Sequence, residues 1–349
     1  MQRDGSKKQQ NVTIYDVASR AGFSVSTVSR VLNGFEFVRE STRERILEAA
    51  DELGYVANLQ ARSLAGGRSR YIGLLVPGLD NGYVGGISQG VDRALASAGY
   101  GLMLFTTHHH RGQELGYIDT IANGLTAGLL ITVPLVPKSY VEALQQQQFP
   151  VVLIDQADTS IRSSVVDTTN WQGGYTATEH LIHLGHRRIG FITGLMALRS
   201  ATDRLAGYKM ALKDHDIPVD ESLIVEGDYM REMGYAATRQ LLTSEQRPTA
   251  IVAANDFTAL GAMEAIHDEG LGIPSDISII GFDDIPEARV VHPKLSTVRL
   301  PLEQMGRVAV ELLLEQIDDP DLQPKHITLS TQLIERQSCA APKTLSILT

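Results

Sequence analysis

Residues 13–33 constrain the fold more than any other stretch, because they are patterned as two short helices joined by a tight turn. Thr13 is a good N-cap, and Asp16 three residues later completes a capping-box pattern beside the positive helix N-terminus. An apolar face then recurs at helical spacing through Ile14, Val17, Ala18 and Ala21. Gly22 accepts the positive φ that a sharp reversal needs, so the first helix is predicted to end there.

The second helix is predicted to start at Val25, with Ser24 as its cap. Its inward side chains are Val28, Val31 and Leu32, and its outward ones are Val25, Ser26, Ser29, Arg30 and Asn33. An exposed face of small polar groups plus one arginine suits a DNA major groove, where Arg grips guanine and Ser or Val touches base edges. On the pattern alone, an ordinary surface helical hairpin remains an open alternative.

A third helix and a marginal fourth segment follow the hairpin. Ser41 and Glu44 match a second capping box, and Gly54 is predicted to end the third helix. Its apolar stripe is predicted as Ile46, Leu47, Ala50 and Leu53. Residues 58–65 are too short for an independently stable helix and precede a basic linker at 66–70, so they need a partner.

From residue 71 onward, short apolar strands alternate with helices in two successive series. The first series has strands at 71–76, 101–106, 128–133 and 151–154, with helices at 83–98 and 113–123. The second has strands at 188–193, 223–226, 250–253 and 277–282, with helices at 173–184, 205–215, 231–242 and 257–269. This pattern predicts two doubly wound parallel-sheet lobes. Ligands of open α/β sheets bind beyond the carboxyl ends of the strands, so the cleft between lobes is the expected effector site.

Charge is distributed unevenly along the 349 residues. Residues 1–70 hold 11 basic and 8 acidic side chains, a net +3, whereas the remainder carries −13. The phosphate-attracting surface is therefore expected on the N-terminal module, with affinity that depends on dimerisation. The N-terminus is polar, no apolar run is long enough to span a membrane, and Cys339 is the only cysteine. These features predict a cytoplasmic chain without an internal disulfide.

The segments DVASRAGFSVSTVSRVLN and ELGYVANLQARSL, together with the two-series core, resemble the lactose/galactose repressor (LacI/GalR) family of bacterial transcriptional regulators over nearly the whole chain. The resemblance implies an all-α helix-turn-helix DNA-binding head at 1–56, a hinge helix and linker at 57–70, and a periplasmic-binding-protein-like α/β core at 71–349. The N-lobe is expected at about 71–167 and 299–329, and the C-lobe at about 168–298 and 330–349. The core is expected to bind the effector and to form a homodimer.

For DNA, the interpretation is a pseudo-palindromic operator with Val25, Ser26 and Arg30 on base edges. Phosphate contacts are expected from Thr13, Ser24, Ser29 and Asn33. By resemblance, the hinge contributes Asn58, Arg62 and Leu64, with paired Leu64 side chains wedged into the minor groove. Effector binding is then expected to change operator affinity by separating or misaligning the hinges, as an inducer or as a corepressor.

Polar residues after the strands are the effector candidates. Asp283 and Asn255 directly follow apolar runs and are expected to project into the cleft. By resemblance, Arg204, opening a helix, is a ligand fork, and Tyr229 stacks on the ligand. Asp80, Asn81, Tyr83 and Asp155 are candidates on the other lobe, where loop or helix capping is an equal alternative. The expected effector is a sugar; the alternative is a core that responds to a nucleoside, a phosphosugar or a protein corepressor.

Several features compete with this interpretation. Adjacent side chains of the 108–110 histidine tract point in different directions and predict no metal site. A solvated loop is the favoured interpretation of this tract, and contact of one imidazole with the effector at the cleft mouth is the alternative. Residues 86–90 match GxSxG, but Ser88 falls inside a predicted helix, and no P-loop, GxGxxG or HExxH occurs, so neither an enzyme nor a cofactor is expected. A periplasmic sugar-binding protein would share the two-lobed core but would have a signal peptide and lack a DNA-binding head. The first 70 residues argue against that class of protein.

Two local features bear on assembly and on the lobe crossover. Thr169 stands where the family usually has aspartate, a change that affects either effector contacts or a local cap. Residues 336–349 lack leucine heptads, so a dimer is expected rather than a tetramer.

Overall fold

The computed structural model describes residues 12–32, 37–55, 69–79, 82–107, 124–132, 138–155, 163–244 and 247–343. The chain divides into two compact units, Met1–Ser69 and Arg70–Thr349. The first, here called the head, is helical, and the second, here called the core, is α/β. The predicted fold class is therefore confirmed.

The head contains helices α1 (Ile14–Ala21), α2 (Val25–Leu32) and α3 (Glu40–Glu52). The Asp16 carboxylate accepts hydrogen bonds from the backbone N–H (2.8 Å) and hydroxyl (2.7 Å) of Thr13, which secures the start of α1. Gly22 has φ +75°, and its N–H donates to the Ala18 carbonyl, ending α1 as predicted. The three helices close over a cluster in which Val17, Val28 and Ile46 are fully buried.

The prediction for α3 was wrong in two details. The helix begins at Glu40 with Arg39 at the N-cap position, so Ser41 lies inside its first turn and no second capping box forms there. Leu47 is 48% exposed, and Ala49 is buried in its place. The reason is helical phase: Ile46, Ala49 and Ala50 fall on one face, while Leu47 is rotated about 100° away from Ile46.

The core begins with the elements of the first series, which are β1 (Tyr71–Val76), α4 (Gly82–Ser97), β2 (Gly101–Thr106), β3 (Leu129–Thr132), α5 (Lys138–Gln146), β4 (Val151–Ile154) and β5 (Ser164–Thr168). The second series is α6 (Asn170–His183), β6 (Ile189–Ile192), α7 (Arg199–Asp214), a 3₁₀ turn (Glu221–Leu223), β7 (Ile224–Val225), α8 (Arg231–Leu242), β8 (Ala250–Ala253), α9 (Asp256–Asp268) and β9 (Ser278–Asp283). The remainder is α10 (Pro286–Val290), β10 (Ser296–Arg299), α11 (Leu302–Asp318), β11 (His326–Leu329) and β12 (Gln332–Ile334).

These strands form two six-stranded sheets, one in each lobe. The N-lobe sheet has the order β11-β5-β4-β3-β1-β2, and the C-lobe sheet has the order β12-β10-β9-β8-β6-β7. All pairs are parallel except β10 with β12, which is antiparallel at the sheet edge. The chain passes between the lobes three times, after β5, after β10 and after β11. Both sheets have their central strands buried on both faces, as apolar runs predict.

Helix starts in the second series differ from those predicted. Helix α6 begins at Asn170 rather than Gly173, and α7 begins at Arg199 rather than Leu205. Residues 200–203 follow Arg199 in the first turn of α7, and Arg199 pairs with Asp203 across one turn at 3.3 Å. Arg204 therefore does not open the helix but lies in its second turn.

Helices α6 and α7 pack backbone against backbone. A Cβ added at Gly174 would lie 2.2 Å from the Arg204 carbonyl oxygen, and one added at Gly207 would lie 2.1 Å from the Trp171 carbonyl oxygen. Only glycine permits so close an approach. This reciprocal contact fixes the relative position of two helices whose N-terminal parts reach the cleft.

Candidate functional site

The outward face of α2 is the candidate DNA-reading surface of the head. Ser26 and Arg30 are exposed, Ser29 is half-buried, and Thr13 and Ser24 at the helix starts are exposed. Ser24 Oγ accepts from the Thr27 N–H at 3.2 Å, which caps α2 as predicted. Val25 is half-buried against the head cluster and faces outward only in part, because the first turn of α2 packs on the other helices. Asn33, Asn58, Arg62 and Leu64 lie outside the described residues.

Six of the predicted effector residues line one cavity of about 100 Å³ between the lobes of the core. These are Tyr83 and Asp155 from the N-lobe and Arg204, Tyr229, Asn255 and Asp283 from the C-lobe. Pro77, Val84, Leu195 and Leu198 give the cavity an apolar part. Asp80 and Asn81, also predicted here, lie outside the described residues, as does the histidine tract 108–110.

Arg204 is the cation of the cavity and is only 3% exposed. Its Nε donates to Asn170 Oδ1 at 2.8 Å, and its Nη1 donates to the Ala254 carbonyl at 2.5 Å. The guanidinium stacks on the Phe282 ring, 3.8 Å from the ring centroid. A charge this deeply buried needs partners on every side. The stacking and the two hydrogen bonds hold the guanidinium in one orientation.

Asp283 ends β9 in the left-handed region, at φ +111°, and is 4% exposed. Its Oδ1 is 3.7 Å from Arg204 Nη1, too far for a hydrogen bond, and has no hydrogen-bond partner among the described residues. Burial raises the pKa of this carboxyl well above its usual range, against the opposing effect of Arg204. A buried oxygen without a hydrogen-bond partner, on a strained residue inside a cavity, is the arrangement expected of a ligand acceptor.

The next residue anchors the Asp283 turn. The Asp284 carboxylate receives hydrogen bonds from Arg289 at 3.0 Å, from Arg299 at 2.7 Å and from Arg336. Charge-assisted bonds from three arginines fix this segment and so hold Asp283 in its position. The sequence reasoning missed Asp284, because its partners come from three separate elements.

Asp155 and Tyr83 form a pair on the N-lobe side. The Tyr83 hydroxyl donates to Asp155 Oδ2 at 2.9 Å. Burial raises the pKa of Asp155 to about 6, with Arg204 acting in the opposite direction. Asp155 has φ +60°, again in the left-handed region. Both side chains line the cavity, and the hydrogen bond between them also stabilises the N-lobe side of the cleft. This pair can therefore contact a ligand and support the local structure.

Tyr229 and Asn255 complete the C-lobe side. The Tyr229 ring packs where Gly194 lacks a side chain, since a Cβ there would lie 2.0 Å from the ring. The Tyr229 hydroxyl is 3.2 Å from Ser200 Oγ, and burial raises its pKa to about 12. Asn255 Oδ1 accepts from the Thr258 N–H at 2.8 Å, and its Nδ2 donates to the Tyr229 carbonyl at 3.2 Å. Asn255 therefore caps α9 and fixes Tyr229 while lining the cavity.

Asn170 is the central residue that sequence reasoning missed. Besides accepting from Arg204, its Nδ2 lies 3.5 Å from Asp155 Oδ1, so one amide connects the C-lobe cation with the N-lobe carboxylate. A signal was present, since Asn170 follows Thr169 at the first lobe crossover. Thr169 itself contacts Thr331: their hydroxyls are 2.9 Å apart, and the Thr331 N–H donates to Thr169 Oγ1. This ties the first crossover to the third.

The hydrolase-like motif has no active-site geometry. Ser88 lies in the middle of α4, with its hydroxyl buried, whereas a nucleophilic serine needs the sharp turn between a strand and a helix. Burial raises the pKa of the Cys339 thiol to about 11, which leaves it unreactive near neutral pH. Among the residues described, no helix has both the length and the apolar character needed to cross a membrane.

Comparisons with known proteins agree with a helix-turn-helix head joined to a two-lobed binding core. Residues 13–58 match the model for bacterial regulatory proteins of the lacI family, and residues 178–339 match the periplasmic binding protein-like domain. The HTH-type transcriptional repressor PurR of Klebsiella pneumoniae (strain 342) is 36% identical over 94% of this chain and 97% of its own length. PurR of Yersinia pestis (strain Pestoides F) gives the same figures.

Solved structures give the same result. The Lac repressor dimer bound to operator and the anti-inducer ONPF matches with a TM-score of 0.81 and 30% identity, covering 95% of this chain and 100% of that one. A complex of the transcriptional regulator CelR with cellobiose matches with a TM-score of 0.74 and 31% identity, covering 94% and 100%. The helix-turn-helix head and the two-lobed core define a DNA-binding transcriptional regulator. The chain belongs to the LacI family and is a transcriptional repressor, not an enzyme.

Proposed function

We propose that this repressor binds a pseudo-palindromic operator as a homodimer and changes its operator affinity when a small molecule of the sugar class occupies the cleft between its lobes. The observation that carries the effector half of the proposal is the buried Oδ1 of Asp283, which has no hydrogen-bond partner among the described residues and lies in a cavity lined by both lobes. A ligand that donates a hydrogen bond to this C-lobe oxygen and also contacts Tyr83 or Asp155 of the N-lobe touches both lobes at once. Its binding energy therefore depends on how the lobes are arranged.

On the DNA side, Val25, Ser26 and Arg30 are proposed to read base edges. Thr13, Ser24, Ser29 and Asn33 are proposed to contact phosphates. Arg30 and Ser26 are exposed on one helix face, and a guanidinium can grip guanine O6 and N7 together. Val25 is half-buried, so only the exposed part of its side chain can contact a base. Residues 57–70 are proposed as the hinge, with Asn58, Arg62 and Leu64 on the DNA.

The dimer is proposed because a pseudo-palindrome mirrors a two-fold protein axis. A net charge of +3 in residues 1–70 is small for tight binding by one head, and two heads double the phosphate contacts. The Lac repressor match, described as a dimer bound to operator, supports this assembly. We place the regulator in the cytoplasm, where its DNA target is.

A sugar is the preferred effector class. Relatives have been solved with cellobiose and with ribose, and the cavity offers what a hydroxyl-rich ligand needs. Asp283 accepts a hydrogen bond, Arg204 donates to ring or hydroxyl oxygens, and Tyr229 offers an apolar ring face. The same guanidinium and ring also suit a phosphosugar or a nucleoside, which is the second candidate.

Isothermal titration calorimetry of the full chain separates these candidates. The panel is ribose, glucose, cellobiose, glucose 6-phosphate, adenosine and guanosine, each titrated into wild type and Asp283→Asn. We expect one class to give saturable heat, with an affinity that Asp283→Asn lowers. Heat from a nucleoside or phosphosugar alone would replace the sugar with the second candidate, and no heat from any compound would contradict a small-molecule effector of these classes. Sedimentation at micromolar concentration tests the dimer, which a monomer would refute.

A further inference from the structure

A cluster of three potential metal ligands lies on the surface of the C-lobe. Glu179 and His183 are one turn apart on α6, and His215 directly follows the end of α7. One ligand atom from each lies within 4.8 Å of the other two. His215 Nε2 is 3.6 Å from Glu179 Oε1, and the rings of His183 and His215 meet edge to face with centroids 5.4 Å apart.

We propose that Glu179, His183 and His215 form a binding site for a divalent transition-metal ion of the zinc class, which joins α6 to the end of α7. Tetrahedral zinc with ligand bonds of about 2.0–2.2 Å holds its ligand atoms roughly 3.4 Å apart. The Glu179–His215 separation is already close to that value. His183 is exposed, so its imidazole can swing inward to become the third ligand.

An ion pair alone does not account for this cluster. Glu179 and His215 neutralise each other when the imidazole is protonated, but His183 then adds a second imidazole beside the first. Two neutral imidazoles and one carboxylate are instead a common zinc ligand set, with the fourth position open to water. Imidazole donors also favour Zn²⁺ over Mg²⁺ or Ca²⁺, which take oxygen ligands.

The surroundings of the cluster support a fixed site. The Tyr175 hydroxyl on α6 donates a hydrogen bond to Asp214 Oδ2 at the end of α7, at 3.3 Å, which connects the two helices beside the cluster. The contacts at Gly174 and Gly207 hold α6 and α7 in a single spacing. The two helices therefore present the three ligands without a large rearrangement.

The two helices that carry the metal ligands also carry residues of the cleft. Helix α6 begins at Asn170 and α7 carries Arg204, the two residues joined by a hydrogen bond in the cavity. An ion that connects the far ends of these helices stabilises their native arrangement, because it binds the folded core and not the separated helices.

Zinc titration of the full chain tests the proposal. The starting protein carries His108→Gln, His109→Gln and His110→Gln, so that the histidine tract cannot contribute. Calorimetry with ZnCl₂ should give one saturable site per chain, and thermal unfolding followed by emission of Trp171, the only tryptophan, should shift upward with Zn²⁺ but not with Mg²⁺. His183→Gln and His215→Gln, each added to this protein, should weaken zinc binding at least tenfold.

The matched control is His267→Gln, an exposed histidine on α9 outside the cluster, which should bind zinc like the starting protein. Metal-free melting temperatures of all variants should agree, which separates lost ligation from lost folding. Absence of saturable zinc binding by the starting protein would overturn the proposal. Unchanged affinity in both cluster variants would overturn it equally.

Discussion

The head and the core use their functional side chains in opposite ways. In the head, Ser26 and Arg30 stand exposed on a helix whose other face makes the hydrophobic cluster. In the core, Arg204 and Asp283 are 3% and 4% exposed and belong to a network that also positions the lobes. A change on the head surface should alter recognition without altering stability. A change in the cleft should alter both.

Arg204→Ala should cause the largest loss of stability. It removes the only side-chain cation lining the described cavity and leaves Asn170 Oδ1 and the Ala254 carbonyl without their donor. Loss of one partner from a buried charged network costs about 3–5 kcal/mol of unfolding free energy. Urea unfolding followed by Trp171 emission measures it. Arg30→Ala is the matched arginine control, and a loss below about 1 kcal/mol in Arg204→Ala would contradict the network.

Asp283→Asn, also in the core, should weaken effector binding. The amide keeps the size of the side chain, and Asn tolerates the left-handed region at φ +111° better than Ala does. Loss of a buried hydrogen bond costs about 1–3 kcal/mol, so effector affinity should fall roughly 5- to 150-fold. Calorimetry with the active panel compound measures it. Asp216→Asn, exposed with φ +55°, is the control and should bind like wild type.

Arg30→Ala should change the head alone. We expect operator binding to lose about 1–3 kcal/mol and the preference at one base pair of each half-site to relax. Selection of bound DNA from a random pool, followed by affinity measurement on the selected sequence, gives both quantities. Arg20→Ala on α1, where Arg20 pairs with Glu52, should keep the base preference. An unchanged selected sequence with Arg30→Ala would remove Arg30 from base readout.

Gly22→Ala should have the smallest effect. Gly22 has φ +75°, and an L side chain there costs about 1–2 kcal/mol, although space for the methyl group exists. Amide hydrogen exchange should therefore accelerate across the head and not across the core. Gly85→Ala, on α4 with open space around it, is the control and should not accelerate exchange in either unit. Faster exchange in the core of Gly22→Ala would contradict the independence of the two units.

The head could be predicted almost helix by helix because its signals are local. Thr13, Gly22 and Ser24 mark boundaries through their own backbone and side-chain chemistry, and the structure confirms them. The start of α3 could not be predicted in the same way. Two residues there, Ser41 and Glu44, match a capping box by spacing alone, whereas the helix begins at Glu40, two residues after Val38, which packs against the hydrophobic cluster of the head.

In the core, too, some elements and site residues could be predicted from the sequence and others could not. The bounds of β1, β2, β4 and β8 were predicted from apolar runs. The bounds of β5 and β10–β12 were not, because these strands are short and polar side chains interrupt their apolar residues. Six cavity residues were predicted from their position after strands or by family resemblance. Asn170 and Asp284 were missed because their importance comes from contacts across the lobe crossover and between three separate elements.

The division of roles between head and core is tested most directly by one titration. Operator DNA selected by the wild-type protein is titrated with wild type and Asp283→Asn at increasing concentrations of the panel compound that binds wild type, and fluorescence anisotropy reports affinity. We predict that the saturating compound changes wild-type operator affinity at least fivefold, in either direction, and that Asp283→Asn needs a roughly 5- to 150-fold higher concentration for the same change, with equal affinities of the two proteins in its absence. Equal compound concentrations for the same change in both proteins, or no change in wild type, would contradict the account.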